Sequence, residues 1–246
     1  PDDFFACTNY DLEKSPFAKN GYYANIKSGV GFTPEHMSGF FYIQEPSASS
    51  ALTILDPKPG MKVLDMCAAP GSKSTQISEM LEQEGLLVAN EIHPTRSRVL
   101  LENIERCGSA NTIVLNNDPK DISKAFPEFF DMVLCDAPCS GEGMFRKEDQ
   151  AVEQWSLENV QACALRQSYI LEEAYKCLKP GGTMVYSTCT FALEENEMCM
   201  KKFMQEYPDI HLVPIEVDFG RKAFDLGSHT DYASRIFPMD GGEGHF

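Results

Sequence analysis

No stretch of the chain approaches the roughly 18 apolar residues that span a bilayer, and no charged, apolar and small-residue succession opens it. A soluble, cytoplasmic protein with no membrane partner is expected. There is no CxxC pair, and the five histidines (His36, His93, His211, His229 and His245) are scattered, so no metal site is expected. Positive charge is scarce: 21 Lys and Arg against 37 Asp and Glu leave a net charge of -16, which argues against a protein that coats nucleic acid with its whole surface. Internal repeats and low-complexity tracts are missing. With 43% hydrophobic and 24% charged residues over 246 positions, disordered and fibrous classes drop out.

What the chain does have is cysteine. The nine thiols are odd in number, and Cys67, Cys135 and Cys189 fall inside strand-like apolar stretches, so a reducing compartment fits better than a disulfide framework. Two of them sit in tight motifs just past apolar runs. Cys139 lies in CDAPCSGEGMFRK (Cys135 to Lys147) and Cys189 in VYSTCTFALEENE (Val185 to Glu197); a third motif, DMCAAPGSKS, covers Asp65 to Ser74. Basic residues pair locally at Arg96 and Arg98, Arg146 and Lys147, Lys201 and Lys202, and Arg221 and Lys222. Lys201 and Lys202 read as a solvated helix face, whereas Arg146 and Lys147 follow the Gly-rich Cys139 loop.

Residues 1 to about 50 are rich in aromatics, Gly and Ser and read as short strands and loops, a small α+β segment packed on a larger body. A soft boundary falls near residues 48 to 56. From Met61 onward β-rich runs alternate with helical ones: KVLDMC, LLVANE, NTIVLN, DMVLCDA and TMVYSTC are strands, and HLVPI and RIFP are late strands that bring the count to seven. A helix is expected from about Leu157 to Leu178, stopped by Lys179-Pro180-Gly181-Gly182, and Glu194 and Glu195 sit where a helix N-terminus prefers anions. Such alternation specifies an α/β, Rossmann-like domain over residues 51–246: a mostly parallel seven-stranded sheet with helices on both faces and ligands at the carboxyl ends of its strands.

In DMCAAPGSKS, the small residues Ala68, Ala69 and Gly71 let backbone approach a ligand while the next helix supplies amide donors. Walker A needs Gly directly before Lys, where Ser72 stands; GxGxxG is absent too. Phosphate-bearing cofactors therefore lose. Glu91 ends the second strand, 20 residues past Gly71, where a carboxylate accepts from ribose hydroxyls, and Asn117 and Asp118 follow the third strand, where an adenine amino group would lie. A solvated strand end and an Asx turn before Pro119 are the plainer readings of Glu91 and Asp118 taken singly. Adenosine without phosphates points to S-adenosylmethionine.

Carbon-5 of a pyrimidine is too weak a nucleophile to take a methyl group unaided. Thiolate addition at carbon-6 makes it enamine-like, which is why such chemistry needs a reactive cysteine and an unstacked base. Spacing does not decide between Cys139 and Cys189: Cys139 has the Pro-Cys context used by DNA cytosine-5 methyltransferases, and Cys189 has Ser-Thr-Cys-Thr. With the CAAPGSK loop, DAPCSGEGMFRK and YSTCTFALEENE, the chain from about Ala24 to its end resembles the Sun/Nol1/Nop2 family of RNA cytosine-5 methyltransferases, in its bacterial branch acting on 16S rRNA. The resemblance implies Cys189 as nucleophile and Cys139 as the thiol that helps release the methylated product. It implies Asp136 in contact with both the methionine end and the cytosine, with Lys73 near the same centre. Cys67, Ala68, Ala69, Pro70, Gly71, Ser72, Lys73, Glu91, Asp118 and Asp136 carry over as cofactor contacts.

Other thiols read as small apolar residues: Cys7, Cys107, Cys163, Cys177 and Cys199, with Cys67 and Cys135 packing too. Phe145 is balanced between core and base-stacking platform, and Trp155 is expected in the core. The chain opens at Pro1 and stops at GGEGHF, so it reads as a piece of something longer: residues 1–50 as the remnant of an N-terminal RNA-binding subdomain, with an RNA-binding module following in this branch. A monomer is expected. The same chemistry on tRNA, a catalytically silent RNA-binding assembly factor, and a small-molecule methyltransferase are the competing readings; the last gives no reason for two thiols in these places.

Overall fold

The computed structural model describes residues 10–24 and 29–246; Cys7 lies outside them. Two short strands, β1 (Leu12–Lys14) and β2 (Tyr22–Ala24), pair antiparallel, and two helices follow, α1 (Pro34–Met37) and α2 (Ser50–Leu55). The body then alternates strand and helix: β3 (Lys62–Asp65), α3 (Ser72–Met80), β4 (Leu86–Asn90), α4 (Pro94–Arg106), β5 (Thr112–Leu115), α5 (Pro119–Ala125) and β6 (Phe130–Asp136). After β6 come α6 (Asp149–Gln154), α7 (Leu157–Cys177), β7 (Leu178–Ser187), α8 (Glu197–Glu206), β8 (Arg221–Lys222) and β9 (Ser234–Arg235).

The central sheet is parallel throughout, in the order β5-β4-β3-β6-β7. Both of its faces are covered, which is why its strands read as nearly continuous apolar runs. Leu64, Val88 and Val133 face a core completed by Ile170, Leu171 and Ala174 of α7 and Phe203 of α8. Their neighbours Val63, Leu87, Leu134 and Val185 face the opposite core with Leu52 and Leu55 of α2 and Ile77 of α3. The chain winds outward from β3 to β5, then crosses back to β6 on the other side of β3. That reversal opens a crevice at the carboxyl ends of β3 and β6, the place where such sheets hold ligands.

Helix ends follow local chemistry. Asp118 caps α5 by accepting from the Lys120 amide at 2.9 Å, and Ser156 caps α7 through Asn159 N at 3.0 Å. The Pro-Gly segment after α7 is already strand: Leu178 pairs with Phe130, and the register shifts before Met132, with Gly181 at φ +79° absorbing the irregularity.

The expected count of seven strands is corrected to five in the central sheet. Among the described residues, HLVPI forms no strand: Pro214 has no N–H to give a ladder, Val213 is largely exposed, and a groove of about 970 Å³, lined by Gly182, Met184, Ile210, Leu212 and Pro214, separates it from β7. RIFP begins in β9, which pairs antiparallel with β8 in a separate ribbon, while Ile236 bridges His245 and Phe246 exchanges two backbone hydrogen bonds with Thr188. Described residues of the first 50 pack on this body: Phe17 is fully buried against Phe219, and its carbonyl accepts from Thr53 Oγ1 at 2.6 Å.

Candidate active site

The carboxyl ends of β3, β6 and β7 bring the three motifs together. Asp136, the last residue of β6, pairs in register with Ser187, the last of β7, and Ser187 Oγ donates to Asp136 Oδ1 at 2.7 Å. Lys73, in the first turn of α3, reaches across to Asp136 Oδ2 at 2.7 Å with its side chain 9% exposed. Burial works to raise the Asp136 pKa, but the Lys73 ammonium, His245 and the Lys73 and Ser187 hydrogen bonds together outweigh it and hold the carboxyl below its usual range. Behind this pair lies His245, with Nε2 3.7 Å from Asp136 Oδ1 and neither ring nitrogen hydrogen-bonded. Burial, with the Lys73 charge, lowers the imidazole to about 4, so it is neutral at ordinary pH.

The two motif cysteines meet here. Cys139 Sγ lies 3.3 Å from Cys189 Sγ. The hydrogen bond shared with Cys139 holds Cys189 below the ordinary thiol range against burial and the Asp136 charge, which push it up, with Lys73 acting with the hydrogen bond. Cys139 moves the other way: its hydrogen bond to Cys189 and its burial push it up, as does the nearby Glu195 charge. The pair is therefore polarised, with thiolate favoured at Cys189 over Cys139.

Their loops are stitched to each other. Gly143 N donates to Cys189 O at 2.9 Å, Ser140 Oγ meets Thr190 Oγ1 at 2.8 Å, and Phe191 N donates to Glu142 Oε2 at 2.9 Å. Downstream acids of the second motif turn inward. Glu195, read from sequence as a helix-terminus anion, is fully buried and accepts from Ser140 N at 3.0 Å and Gln167 Nε2 at 2.8 Å; α8 begins only at Glu197, after Asn196. The cause is local: two buried donors, one on the Cys139 loop and one on α7, converge on this carboxylate and hold it inside. Glu197 is buried too, in an ion pair with Arg235, whose Nε lies 2.6 Å from Glu197 Oε1.

Beside the thiols, Cys67, Ala68, Ala69, Pro70, Gly71 and Ser72 form the turn from β3 into α3. Arg96 takes the Ala69 carbonyl at 2.8 Å and Asn103 the Pro70 carbonyl at 2.9 Å, tying the loop to α4 from behind. Gly71, at φ +114°, sits where a Cβ would lie 3.2 Å from Leu100 Cδ1. Glu91, buried just past β4, accepts from His93 N at 2.9 Å and faces Arg96 at 3.5 Å. Asp118 Oδ1 serves the α5 cap and Tyr169 OH. Asp65 is wholly buried at the end of β3: Ser74 Oγ bonds Oδ2 at 2.7 Å, Oδ1 has no hydrogen-bond partner, and burial raises the carboxyl to about 7. Four carboxyls (Asp65, Glu91, Asp118 and Asp136) and one ammonium (Lys73) around a small-residue turn suit hydroxyls and a cationic centre, and offer nothing built for a polyphosphate. Among the described residues, no cluster of three or more His, Cys, Asp or Glu could hold a metal ion, and no helix is long and apolar enough to cross a membrane.

The structure also sorts the remaining candidates. Cys67 and Cys135 are pushed well up by burial, Cys177 to about 12, and Cys107, Cys163 and Cys199 are raised by the same cause, so thiolate is disfavoured at all of these. Trp155 is corrected from core to rim: it sits between α6 and α7, exposed, with Nε1 donating to Glu142 Oε1 at 3.0 Å. Phe145 is half-buried. Lys201 is not purely solvated, because its Nζ holds the Leu226 carbonyl at 2.7 Å, and Arg146 faces Glu243 at 3.6 Å. His245, Gln167, Ser187 and Asp65 escaped the sequence reading. Ser187 and Asp65 stood inside quoted motifs at strand ends, a usable signal; Gln167 and His245 carry none.

Comparison with known proteins agrees with this layout. Residues 52–246 match the family model described as 16S rRNA methyltransferase RsmB/F. Ribosomal RNA small subunit methyltransferase F of Vibrio cholerae is 44% identical over 81% of this chain and 43% of its own length, and that of Escherichia coli K12 is 40% identical over 87% and 47%. The chain thus spans about half the length of the curated relatives it matches. A methyltransferase homologue from Pyrococcus horikoshii superposes at TM-score 0.86 with 30% identity, over 100% of this chain and 79% of its own. NSun6 from the same organism, solved with SFG, gives 0.75 and 27%, over 93% and 59%. With sheet, loops and both cysteines so arranged, the chain belongs to the RsmB/F family of 16S rRNA methyltransferases.

Proposed function

We propose that this chain is the catalytic part of an S-adenosylmethionine-dependent methyltransferase that places a methyl group on carbon-5 of a cytosine in 16S rRNA, through a covalent bond from Cys189 to carbon-6. The observation that carries the reading is the polarised thiol pair, 3.3 Å apart, beside the Lys73–Asp136 ion pair. The cofactor assignment is supported by the donor set around the β3 turn and by NSun6, a structure obtained with an S-adenosylmethionine analogue.

The cofactor would be held by the Cys67–Lys73 turn, Glu91, Asp118 and Asp136; when bound it supplies an electrophilic methyl group. The chain's own residues do the rest. Cys189 attacks carbon-6 as thiolate, its electron pair forming the S–C bond while the ring's π electrons shift toward carbon-5 and the ring nitrogen. Asp136, kept ionised by Lys73, accepts from the cytosine amino group and holds the ring over the sulfur. After methylation, the carbon-5 proton leaves with assistance from Cys139, the C–H electrons rebuild the double bond, and the S–C bond breaks to return the Cys189 thiolate. Residues 51–246 are assigned to this chemistry and residues 1–50 to the remnant of an RNA-binding subdomain.

Incubating the intact protein with 16S rRNA and labelled cofactor tests the reading: 5-methylcytosine forms, and Cys189→Ala abolishes it. Full turnover by Cys189→Ala, or methylation of tRNA in place of rRNA, would overturn the mechanism or the substrate respectively.

A further inference from the structure

Gln167 stands in the middle of α7, outside all three motifs, and interrupts a buried stripe of Val160, Cys163, Ile170, Leu171 and Ala174. It is wholly buried. Its Nε2 donates to Pro138 O at 3.0 Å and to Glu195 Oε2 at 2.8 Å, and Glu195 Oε2 also accepts from Ser140 N at 3.0 Å. The residues before and after Cys139 are thus gripped by one carboxamide–carboxylate pair. Glu195 is itself anchored, since its carbonyl accepts from Tyr186 OH of β7 at 2.6 Å.

The arrangement is expensive for the fold. Gln167 Oε1 and Glu195 Oε1 are both buried without hydrogen-bond partners, and a leucine at 167 would continue the apolar stripe and remove the first of these, but only by giving up the donor to Pro138 O and one of the two donors to Glu195. A buried polar pair kept at such a cost, whose made bonds all converge on one three-residue turn, points to the placement of that turn.

We propose that Gln167, acting with Glu195, is the positioning residue for Cys139, setting its sulfur against Cys189 so that the thiol can serve the release of methylated product. The assignment of release to Cys139 rests on the function proposed above; the positioning of the sulfur does not. Gln167 touches neither base nor cofactor and acts through the Pro138–Ser140 backbone. The Glu195 charge also adds to the hydrogen bond with Cys189 and to burial in holding Cys139 protonated.

The test uses the intact protein carrying Gln167→Leu, with Gln167→Met as a second, unbranched replacement. Diamide takes two electrons and two protons from two thiols, becoming the hydrazine as the S–S bond forms, so the rate of Cys139–Cys189 disulfide formation, followed by peptide mass mapping, reports the sulfur juxtaposition without RNA. That rate falls at least about tenfold in folded variants if Gln167 places Cys139. With RNA and cofactor, adduct formation by Cys189 stays within about threefold of wild type while adduct release slows at least about tenfold; a merely structural role would slow both steps together. An unchanged disulfide rate in either folded variant overturns the proposal, as does loss of circular dichroism and of the thermal transition in both. A reduced disulfide rate, with Cys139→Ala releasing its adduct like wild type, keeps the positioning and overturns the release role of Cys139.

Discussion

The sulfurs of Cys139 and Cys189 lie 3.3 Å apart although 50 residues separate them, because each follows one of two adjacent parallel strands. Parallel pairing puts successive loops at the same sheet edge, so two cysteines that closely follow the ends of β6 and β7 come together. Similar placement does not mean equivalent chemistry, since their shared hydrogen bond lowers Cys189 and raises Cys139, and the Glu195 charge adds to the rise at Cys139. Cys189→Ala is expected to abolish both adduct and methyl transfer. Cys139→Ala is expected to retain adduct formation and lose about 10² to 10⁴ in turnover, the range for removing a positioned proton-transfer group. Denaturing gels of protein with RNA separate the two: a retarded band with Cys139→Ala and none with Cys189→Ala.

Lys73 is expected to set the acid limb of the pH profile through Asp136. Replacing it with Met leaves the largely enclosed carboxylate without its counter-charge, so Asp136 takes up a proton at higher pH than in wild type. Activity that needs the ionised carboxylate is then lost earlier as pH falls. The expected result is a fall in kcat/KM of about 10²-fold at neutral pH, with the acid limb displaced upward. A reduced kcat/KM with an unmoved limb would mean that Lys73 serves the turn before α3 rather than Asp136.

His245 is expected to make the protein acid-sensitive. Its folded pKa of about 4 lies below the ordinary 6.5, so between these values the unfolded chain binds a proton that the native state refuses. Stability contributed by the neutral ring is complete above about pH 6.5 and is lost as pH falls toward 4, by about 3 kcal/mol in all. Asp65 opposes it: raised to about 7, it favours the native state at low pH and loses that contribution as pH rises. In His245→Phe the Asp65 trend should stand uncovered. Denaturant unfolding at pH 4.5 and 7 reads the outcome, the change in stability on going to pH 7 being less favourable in the variant than in wild type by about 2 to 3 kcal/mol.

The residues legible in the sequence are those whose role depends on a strand end. Lys73, Asp136, Cys139 and Cys189 each follow a short β-rich run, and parallel α/β topology sends such positions to one crevice, so motif and fold specified the same place. Glu195, Gln167 and His245 were not legible, because burial decides their roles and burial is a property of what packs against them. An acid before a helix has a local reason to be there, and only the Cys139 turn folded above it shows that Glu195 faces inward. The strand count failed for a related reason: HLVPI and RIFP have strand composition, but pairing needs a partner edge in register, and β9 pairs with β8 instead.

Gly143 is the position where three segments touch, and a single methyl group there is expected to separate them. Its amide donates to Cys189 O at 2.9 Å, and a Cβ built on it would lie 2.9 Å from both Cys189 O and Gly244 O. Those neighbours are backbone, so they cannot swing aside as a flexible side chain could. Gly143→Ala should therefore push the Cys189 loop away from the Cys139 loop and from the segment that carries His245, costing about 1 to 3 kcal/mol of stability. Gly141→Ala is the matched control: at φ +76° it carries backbone strain of about 1 to 2 kcal/mol, but nothing lies within 4 Å of its Cβ. Both variants should lose similar stability by thermal unfolding, while only Gly143→Ala loses turnover, by at least about tenfold. Equal turnover in the two variants would show that the contact with Cys189 is incidental to where its sulfur sits.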